Sequence, residues 1–158
     1  PPPEASHSAV QMVLAAKAGQ NVRISPERLR ASHTAHGDDD LHGAVFGDSP
    51  LAAFSGAGWY FEIQIDRVRE GLPDGLAVGV TTVDPHRLQS VPETLDGLGT
   101  AVWLVGFNGC MWDGRSFADV NWYPQDLREG DRVGVLVTQP ERDLLVVVNG
   151  EVRVAGPR

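Results

Sequence analysis

The sequence predicts an all-β domain of short strands, folded as a sandwich or a barrel. Apolar and polar residues alternate strictly over positions 59–66, which is typical of a half-buried strand. The 18 glycines and 11 prolines are spread between short apolar runs, where turns are expected. Asn149 followed by Gly150 favours a tight hairpin, because both positions of that turn require a positive φ. Short strands separated by turns favour a sandwich or a barrel.

The N-terminal part allows two interpretations. Residues 10–18 carry apolar side chains at helical spacing, whereas residues 19–21 indicate a turn, after which Val22 and Ile24 alternate with polar residues. We expect a hairpin over residues 11–25, with a short helix as the alternative.

The next signals are weaker. Ser25 and Pro26 suit either the start of a helix or a simple turn, and residues 44–46 could form a short strand. We expect residues 1–19 to be an N-terminal extension or a first strand, and residues 20–158 to form a single sandwich domain, because the length is that of one domain.

The middle of the chain carries two further strands. Glycines and a proline at residues 71–75 predict a turn, and a strand follows over residues 76–81. A loop is expected over residues 86–99 and a strand over residues 100–105. Residues 106–123 show no long alternation, so we expect them to be irregular.

The C-terminal part predicts three strands. One begins at residues 130–131 and runs to residue 137. After a turn at residues 139–143, residues 144–148 are apolar on both faces and predict a strand covered on both sides. A last strand spans residues 151–155. The predicted core consists of Val22, Ile24, Val45, Phe46, Phe61, Ile63, Ile65, Val78, Val80, Trp103, Val105, Val133, Val135, Val137, Val146 and Val148.

Composition limits the function. Thirteen basic and 21 acidic residues give a net charge of −8, which opposes non-specific binding to nucleic acid or to an anionic membrane. No apolar run approaches the roughly 18 residues of a spanning helix, so we expect no membrane insertion. The single cysteine suits a reducing compartment, and we expect an intracellular protein, cytoplasmic or associated with the cytoskeleton.

The segment 106–123 is the best candidate for a binding site. It combines aromatic residues with arginine, the types that dominate hot spots in protein interfaces, although the same aromatics could simply fill one end of the sandwich. Glycines flank Trp112 and Arg115, which favours exposure at a loop tip. Trp112 or Trp122 would form an apolar wall, with Asn108 and Arg115 as polar contacts. The expected partner-binding residues are Phe107, Asn108, Met111, Trp112, Asp113, Arg115 and Trp122.

Catalytic and metal sites have weaker support. His33, His36 and His42 lie near three aspartates at residues 38–40, but this short polar stretch has nothing to hold a ligand geometry. Cys110 has no nearby histidine in sequence, so we expect a small buried apolar residue rather than a nucleophile. A glycosidase would need two carboxylates in one groove, and Glu62 has no local carboxylate partner. We expect no catalytic residue, metal or cofactor.

A series of segments follows one order and spacing along the chain. The segments are Asn21-Val22-Arg23-Ile24-Ser25, Ala31, Gly43-Ala44-Val45-Phe46, Pro50-Leu51, Trp59-Tyr60-Phe61-Glu62-Ile63-Gln64-Ile65-Asp66-Arg67, Val78-Gly79-Val80-Thr81-Thr82-Val83-Asp84-Pro85, Gly99-Thr100, Trp103, Leu127, Gly130-Asp131-Arg132-Val133-Gly134-Val135 and Val148-Asn149-Gly150. The related SPRY domains carry some similar segments, but in this order and spacing the set resembles a neuralized homology repeat over roughly residues 20–155.

The resemblance implies an all-β fold, a bent SPRY-like or concanavalin-like sandwich of two antiparallel sheets. It also implies that the domain binds proteins or peptides through loops at one sheet edge and is not an enzyme. Such domains occur beside RING domains of ubiquitin ligases or in tandem arrays of scaffold proteins. The aromatic-rich stretch at residues 106–114 departs from the family pattern, and no RING-type spacing of cysteine and histidine is present. We therefore expect a non-catalytic protein-binding or peptide-binding module. The alternatives are a lectin-like carbohydrate-binding sandwich and an enzyme on the same fold.

Overall fold

The computed structural model describes residues 11–34, 41–69 and 75–156. The predicted turn at residues 71–75 falls largely outside these ranges, as do His36 and the aspartates at 38–40. Within the described ranges the strands are β1 (Val22–Ile24), β2 (Ala31–His33), β3 (Ala53–Phe54), β4 (Gly58–Gln64), β5 (Ala77–Thr81), β6 (Val102–Gly106), β7 (Cys110–Trp112), β8 (Phe117–Asp119), β9 (Arg132–Thr138), β10 (Leu144–Val148) and β11 (Glu151–Ala155).

The strands form two principal antiparallel sheets, and the predicted all-β sandwich is confirmed. One sheet has the order β11-β10-β9-β4-β3 and the other β5-β6-β7-β8, while β1 and β2 form a separate hairpin. The longest register runs between β4 and β9, from Gly58 opposite Thr138 to Gln64 opposite Arg132. The only helices in the described ranges are short 3-10 turns, and none is long and apolar enough to cross a membrane.

The principal core lies between the inner faces of the two sheets. Val78, Val105 and Met111 face inward from the four-stranded sheet, and Val133 and Val135 face them from β9. Alternation along each strand produces these faces, and each fully buried valine contributes about 1.5–3 kcal/mol. Seven predicted core residues are buried: Phe46, Val78, Val105, Val133, Val135, Val146 and Val148.

The remaining core predictions are less buried. Half-buried residues that pack against the principal core are Phe61, Ile63, Ile65, Val80 and Trp103. Val22, Ile24, Val45 and Val137 are only half-buried and lie outside both core clusters. Buried residues that the sequence pattern missed include Val102, Leu104, Met111, Trp122, Leu127, Leu144 and Val154.

A second, smaller cluster joins the N-terminal segment to the connection before β6. Ala15, Ala44 and Phe46 are buried there, and half-buried leucines and valine from residues 88–98 pack on them. The predicted loop at residues 86–99 therefore carries structure, with 3-10 turns at Pro85–Arg87 and Leu95–Ala101.

The predicted hairpin over residues 11–25 is wrong. The strand Val22–Ile24 pairs with the following strand β2, because the Ser25 hydroxyl accepts hydrogen bonds from the amides of Leu29 and Arg30 and closes the intervening turn. The preceding segment instead runs beside residues 44–48, where the amide of Ala15 donates to the carbonyl of Phe46 at 2.8 Å. Ser25 and Pro26 thus lie in a turn, and the strand expected at residues 44–46 does not form; the isolated bridge in this region joins Leu14 to Gly47.

The C-terminal hairpin forms as predicted. Asn149 and Gly150 have φ values of 50° and 84°, and they connect β10 to β11. The expectation that β10 is covered on both faces is wrong, because only alternate residues are buried and Leu145 and Val147 remain half-buried on the outer face.

Candidate binding site

The candidate site is built on a glycine-flanked turn between β6 and β7. Gly106 and Gly109 have φ values of 136° and 100°, and Phe107 between them has a φ of 54°. The amide of Phe107 donates to the carbonyl of Leu76 at 3.2 Å, which ties the turn to the chain entering β5. A Cβ at position 109 would lie 2.6 Å from the ring of Tyr123, so only glycine fits there.

Residues 106–123 are not irregular, because β7 and β8 form a hairpin within them. Asp113 closes the hairpin: its carboxylate accepts the amides of Arg115 and Ser116, each at 2.8 Å. These bonds, first that of Ser116 and then that of Arg115, lower the pKa of Asp113. Gly114 has a φ of 91° in the same turn. Asp113 and Arg115 are exposed at this tip.

Three aromatic rings meet on the outer face of the four-stranded sheet. Trp112 lies opposite Phe117 in the register of β7 and β8, with ring centroids 4.9 Å apart. Phe107 meets Phe117 edge to face at 5.8 Å. The Phe117 side chain is 53% exposed. We call Phe107, Trp112 and Phe117 the aromatic surface.

Trp112 does not occupy an exposed loop tip. It belongs to β7, is half-buried, and its indole N–H donates to the carbonyl of Gly99 at 3.2 Å. Pairing with Phe117 and this hydrogen bond hold the ring against the sheet. The glycines that flank it in sequence serve the two neighbouring turns instead.

Met111 and Trp122 point away from the aromatic surface. Alternation along β7 sends Met111 to the inner face, where it is 5% exposed, and Trp122 is 7% exposed in the same core cluster. Both side chains are therefore inaccessible to a partner in this structure. Phe107 is half-buried and Asn108 is exposed, so they remain at the surface with Trp112, Asp113 and Arg115.

Sequence reasoning did not select Phe117 or Tyr123, although both are exposed aromatic residues of this region. Asp113 followed by Gly114 favours a hairpin, but a two-residue turn at this dipeptide would place Arg115 opposite Trp112. The structure has a four-residue turn over residues 113–116 instead, and this turn places Phe117 opposite Trp112.

Cys110 differs from the expected buried apolar residue. It is half-buried on β7, and its thiol donates to the side-chain oxygen of Asn108 at 3.0 Å. Within residues 11–34, 41–69 and 75–156, no group of three or more His, Cys, Asp or Glu side chains is arranged to hold a metal ion.

Glu62 has a structural environment on the outer face of β4. Its carboxylate accepts hydrogen bonds from Arg132 and from the hydroxyl of Tyr60, each at 2.8 Å. The bond from Arg132 is the main reason that the pKa of Glu62 is lowered. Burial, followed by the bond to Glu62, raises the pKa of Tyr60 to about 12. Gly134 provides the space for this ring, since a Cβ there would collide with the hydroxyl.

Comparison with known families finds a match over nearly the whole chain. The model of the Neuralized family matches residues 15–155, which include all the strands described above. That family comprises protein-binding modules rather than catalysts. The resemblance seen in the sequence is therefore confirmed, and this chain belongs to the Neuralized family.

Proposed function

We propose that this chain is a non-catalytic module that recognises a protein or peptide segment through the aromatic surface at one edge of the sandwich. The supporting observation is the ring of Phe117, which is 53% exposed while Phe107 and Trp112 support it. A large ring left open to water in this way is typical of an anchor that becomes buried when a partner binds.

Hydrogen bonds within the chain fix Trp112 and the turn beside it. The Trp112 indole is bonded to Gly99, and the turn beside it is closed by three hydrogen bonds that involve Asp113. Binding to a rigid surface loses less conformational entropy than binding to a mobile loop, so more of the apolar burial contributes to affinity.

Polar groups surround the aromatic surface. Asn108 and Arg115 are exposed at the two turns that flank it. An amide and a guanidinium at the rim suit hydrogen bonds to a peptide backbone or to an acidic side chain, and such rim contacts contribute mainly to specificity and association rate.

The test is selection from a displayed peptide library, followed by titration of a selected peptide. We expect Phe117→Ala to lose about 2 kcal/mol or more of affinity, as truncated anchors do. Val152→Ala is the matched control, because Val152 is 58% exposed on β11 of the other sheet and should leave affinity unchanged. Equal affinity of the parent and Phe117→Ala for every selected peptide would refute the proposal.

A glycan array with the same variants tests the carbohydrate alternative. Binding of a sugar that is lost in Phe117→Ala, with no peptide selected, would replace peptide recognition by a lectin-like function. Under the proposal, no glycan depends on Phe117.

We further propose that the module belongs to a larger scaffold or ubiquitin-ligase-type protein that resides inside the cell, in the cytoplasm or on the cytoskeleton. Family membership and the single cysteine support this placement. Imaging of the tagged full-length protein checks it, and a secreted or organelle-lumenal signal would contradict it.

A further inference from the structure

β8 is one of the two edge strands of the four-stranded sheet, whose order is β5-β6-β7-β8. All three of its residues, Phe117, Ala118 and Asp119, are exposed. No other described strand lies beside its outer side.

The outer side of β8 carries backbone groups that have no partner among the residues that the structure describes. The amide of Asp113 donates to the carbonyl of Ser116, and the amide of Val120 donates to that of Gly109. Hydrogen-bonded positions alternate along an antiparallel pair, so positions 116, 118 and 120 face β7. The N–H and C=O groups of Phe117 and Asp119 therefore point away from the sheet, and neither residue has a backbone bond to another part of the described chain.

The opposite sheet protects its edge differently. β11 carries an ion pair between Glu151 and Arg153 at 3.0 Å and is paired through a bulge, two features that discourage the addition of a strand. β8 is short and carries one charge, that of Asp119, but it has no bulge, proline or basic residue.

We propose that β8 accepts an extended peptide segment as an additional antiparallel strand, and that this segment carries a basic residue two positions before an aromatic or large aliphatic one. The proposal rests on the function proposed above and specifies its binding mode. Up to four backbone hydrogen bonds follow, from the two outward-facing residues of β8.

The side chains of β8 determine the sequence of this segment. Phe117 and Asp119 lie on the same face of the sheet, because they are two residues apart. The residue added opposite Phe117 would extend the aromatic surface, and the residue two positions earlier in an antiparallel strand would lie opposite Asp119. The Asp119 carboxylate is exposed and forms no ion pair with any residue of the described ranges. The net charge of −8 also favours a basic segment.

The first experiment uses short synthetic peptides of threonine and serine with a central Lys-Thr-Phe triplet. Matched peptides carry Glu-Thr-Phe or the reversed Phe-Thr-Lys. We expect the Lys-Thr-Phe peptide to bind most tightly of the three. Methylation of single backbone nitrogens of this peptide should weaken binding at every second position only. Equal binding of the three peptides, or a methylation profile without this period, would overturn the binding mode.

The second experiment compares Asp119→Pro with Asp119→Ala. Both remove the carboxylate, but only proline removes the outward N–H, and it leaves the bonds of position 118 to β7 intact. We expect Asp119→Pro to bind the Lys-Thr-Phe peptide about fivefold more weakly than Asp119→Ala, the effect of one hydrogen bond. Thermal unfolding of both variants checks that they fold.

If the Asp119→Pro variant is unfolded, the methylation profile measured with the parent protein tests strand addition by itself. Failure of this binding mode is distinguishable from failure of the proposed function. If Phe117→Ala weakens a selected peptide while Asp119→Pro and Asp119→Ala bind it equally, the aromatic surface is the site and strand addition is refuted.

Discussion

Trp112 and Phe117 face each other across β7 and β8, yet their surroundings differ at the scale of single residues. The indole of Trp112 is half-buried and hydrogen-bonded to Gly99, whereas most of the Phe117 ring is open to water. Truncating Trp112 removes packing and the hydrogen bond to Gly99, whereas truncating Phe117 removes mainly surface that is exposed to water. The first residue therefore supports the surface, and the second is available to a partner.

We expect Trp112→Ala to lower the free energy of unfolding by about 2 kcal/mol, somewhat less than a fully buried tryptophan would cost. Phe117→Ala should cost about 0.5 kcal/mol, as surface substitutions do. Urea denaturation measures both, with Val152→Ala as the exposed apolar control. Equal losses for Trp112→Ala and Phe117→Ala would contradict this division of roles.

A second residue-scale prediction concerns Glu62. Its pKa is lowered from 4.5 in the folded protein, mainly by Arg132. The ionised carboxylate of Glu62 therefore stabilises the folded protein fully at pH values above the ordinary pKa of this group. This stabilisation is lost as the pH falls through the lowered pKa of the folded protein. Because the side chain of Glu62 is 33% exposed and that of Arg132 is 60% exposed, solvent screens the pair and the contribution is modest, about 0.5 kcal/mol.

Glu62→Gln should therefore destabilise the protein slightly near neutral pH and reduce the loss of stability on acidification. Urea midpoints measured across the acid range test this. Asp66→Asn is a suitable comparison, because Asp66 is also paired with an arginine but at 3.6 Å. A parent and a Glu62→Gln variant with parallel acid profiles would argue against the ion pair.

At the scale of elements, turn chemistry decides which strands pair. The Asn149 side chain does more than permit a positive φ. Its oxygen accepts the amide of Arg132 at 2.9 Å, and its nitrogen donates to Asp131 at 3.0 Å. The hairpin between β10 and β11 is thereby fastened to the start of β9, and the same contact is the main reason that the pKa of Asp131 is lowered.

Asn149→Ala should lower the free energy of unfolding by about 2 kcal/mol, since it removes two hydrogen bonds and places a Cβ residue at positive φ. Asn149→Gly keeps the backbone freedom and should cost about 1 kcal/mol. Chemical denaturation of the two variants separates the backbone contribution from the side-chain contribution. If glycine and alanine were equally costly, the backbone conformation would play no part.

At the scale of the whole molecule, the described residues form two separate apolar clusters. The principal core joins the two sheets, and the smaller cluster around Phe46 holds the N-terminal segment against the connection before β6. The two clusters share no residue, so they should respond differently to a local change.

We expect Phe46→Ala to lower the free energy of local unfolding of the smaller cluster by about 3 kcal/mol and to leave the principal core less affected. Hydrogen exchange should then accelerate at the amides of Ala15 and Gly19, which bond to residues 46 and 44, while Val135 keeps its protection. Val78→Ala, in the principal core, should instead reduce protection throughout. Uniform loss of protection in Phe46→Ala would show a single cooperative unit.

Local sequence patterns were enough to predict an all-β fold, the long strands and the C-terminal hairpin, because period-two alternation and the chemistry of Asn149 and Gly150 are local properties. The strand that pairs with Val22–Ile24 and the accessible aromatic residues of 106–123 became known only from the packing of the folded chain. The composition of residues 106–123 shows that they are rich in aromatic side chains, yet Trp122 lies in the core and Phe117 lies at the surface. Whether a side chain is covered depends on the strand or turn packed against it from elsewhere in the chain, and no local pattern encodes that neighbour.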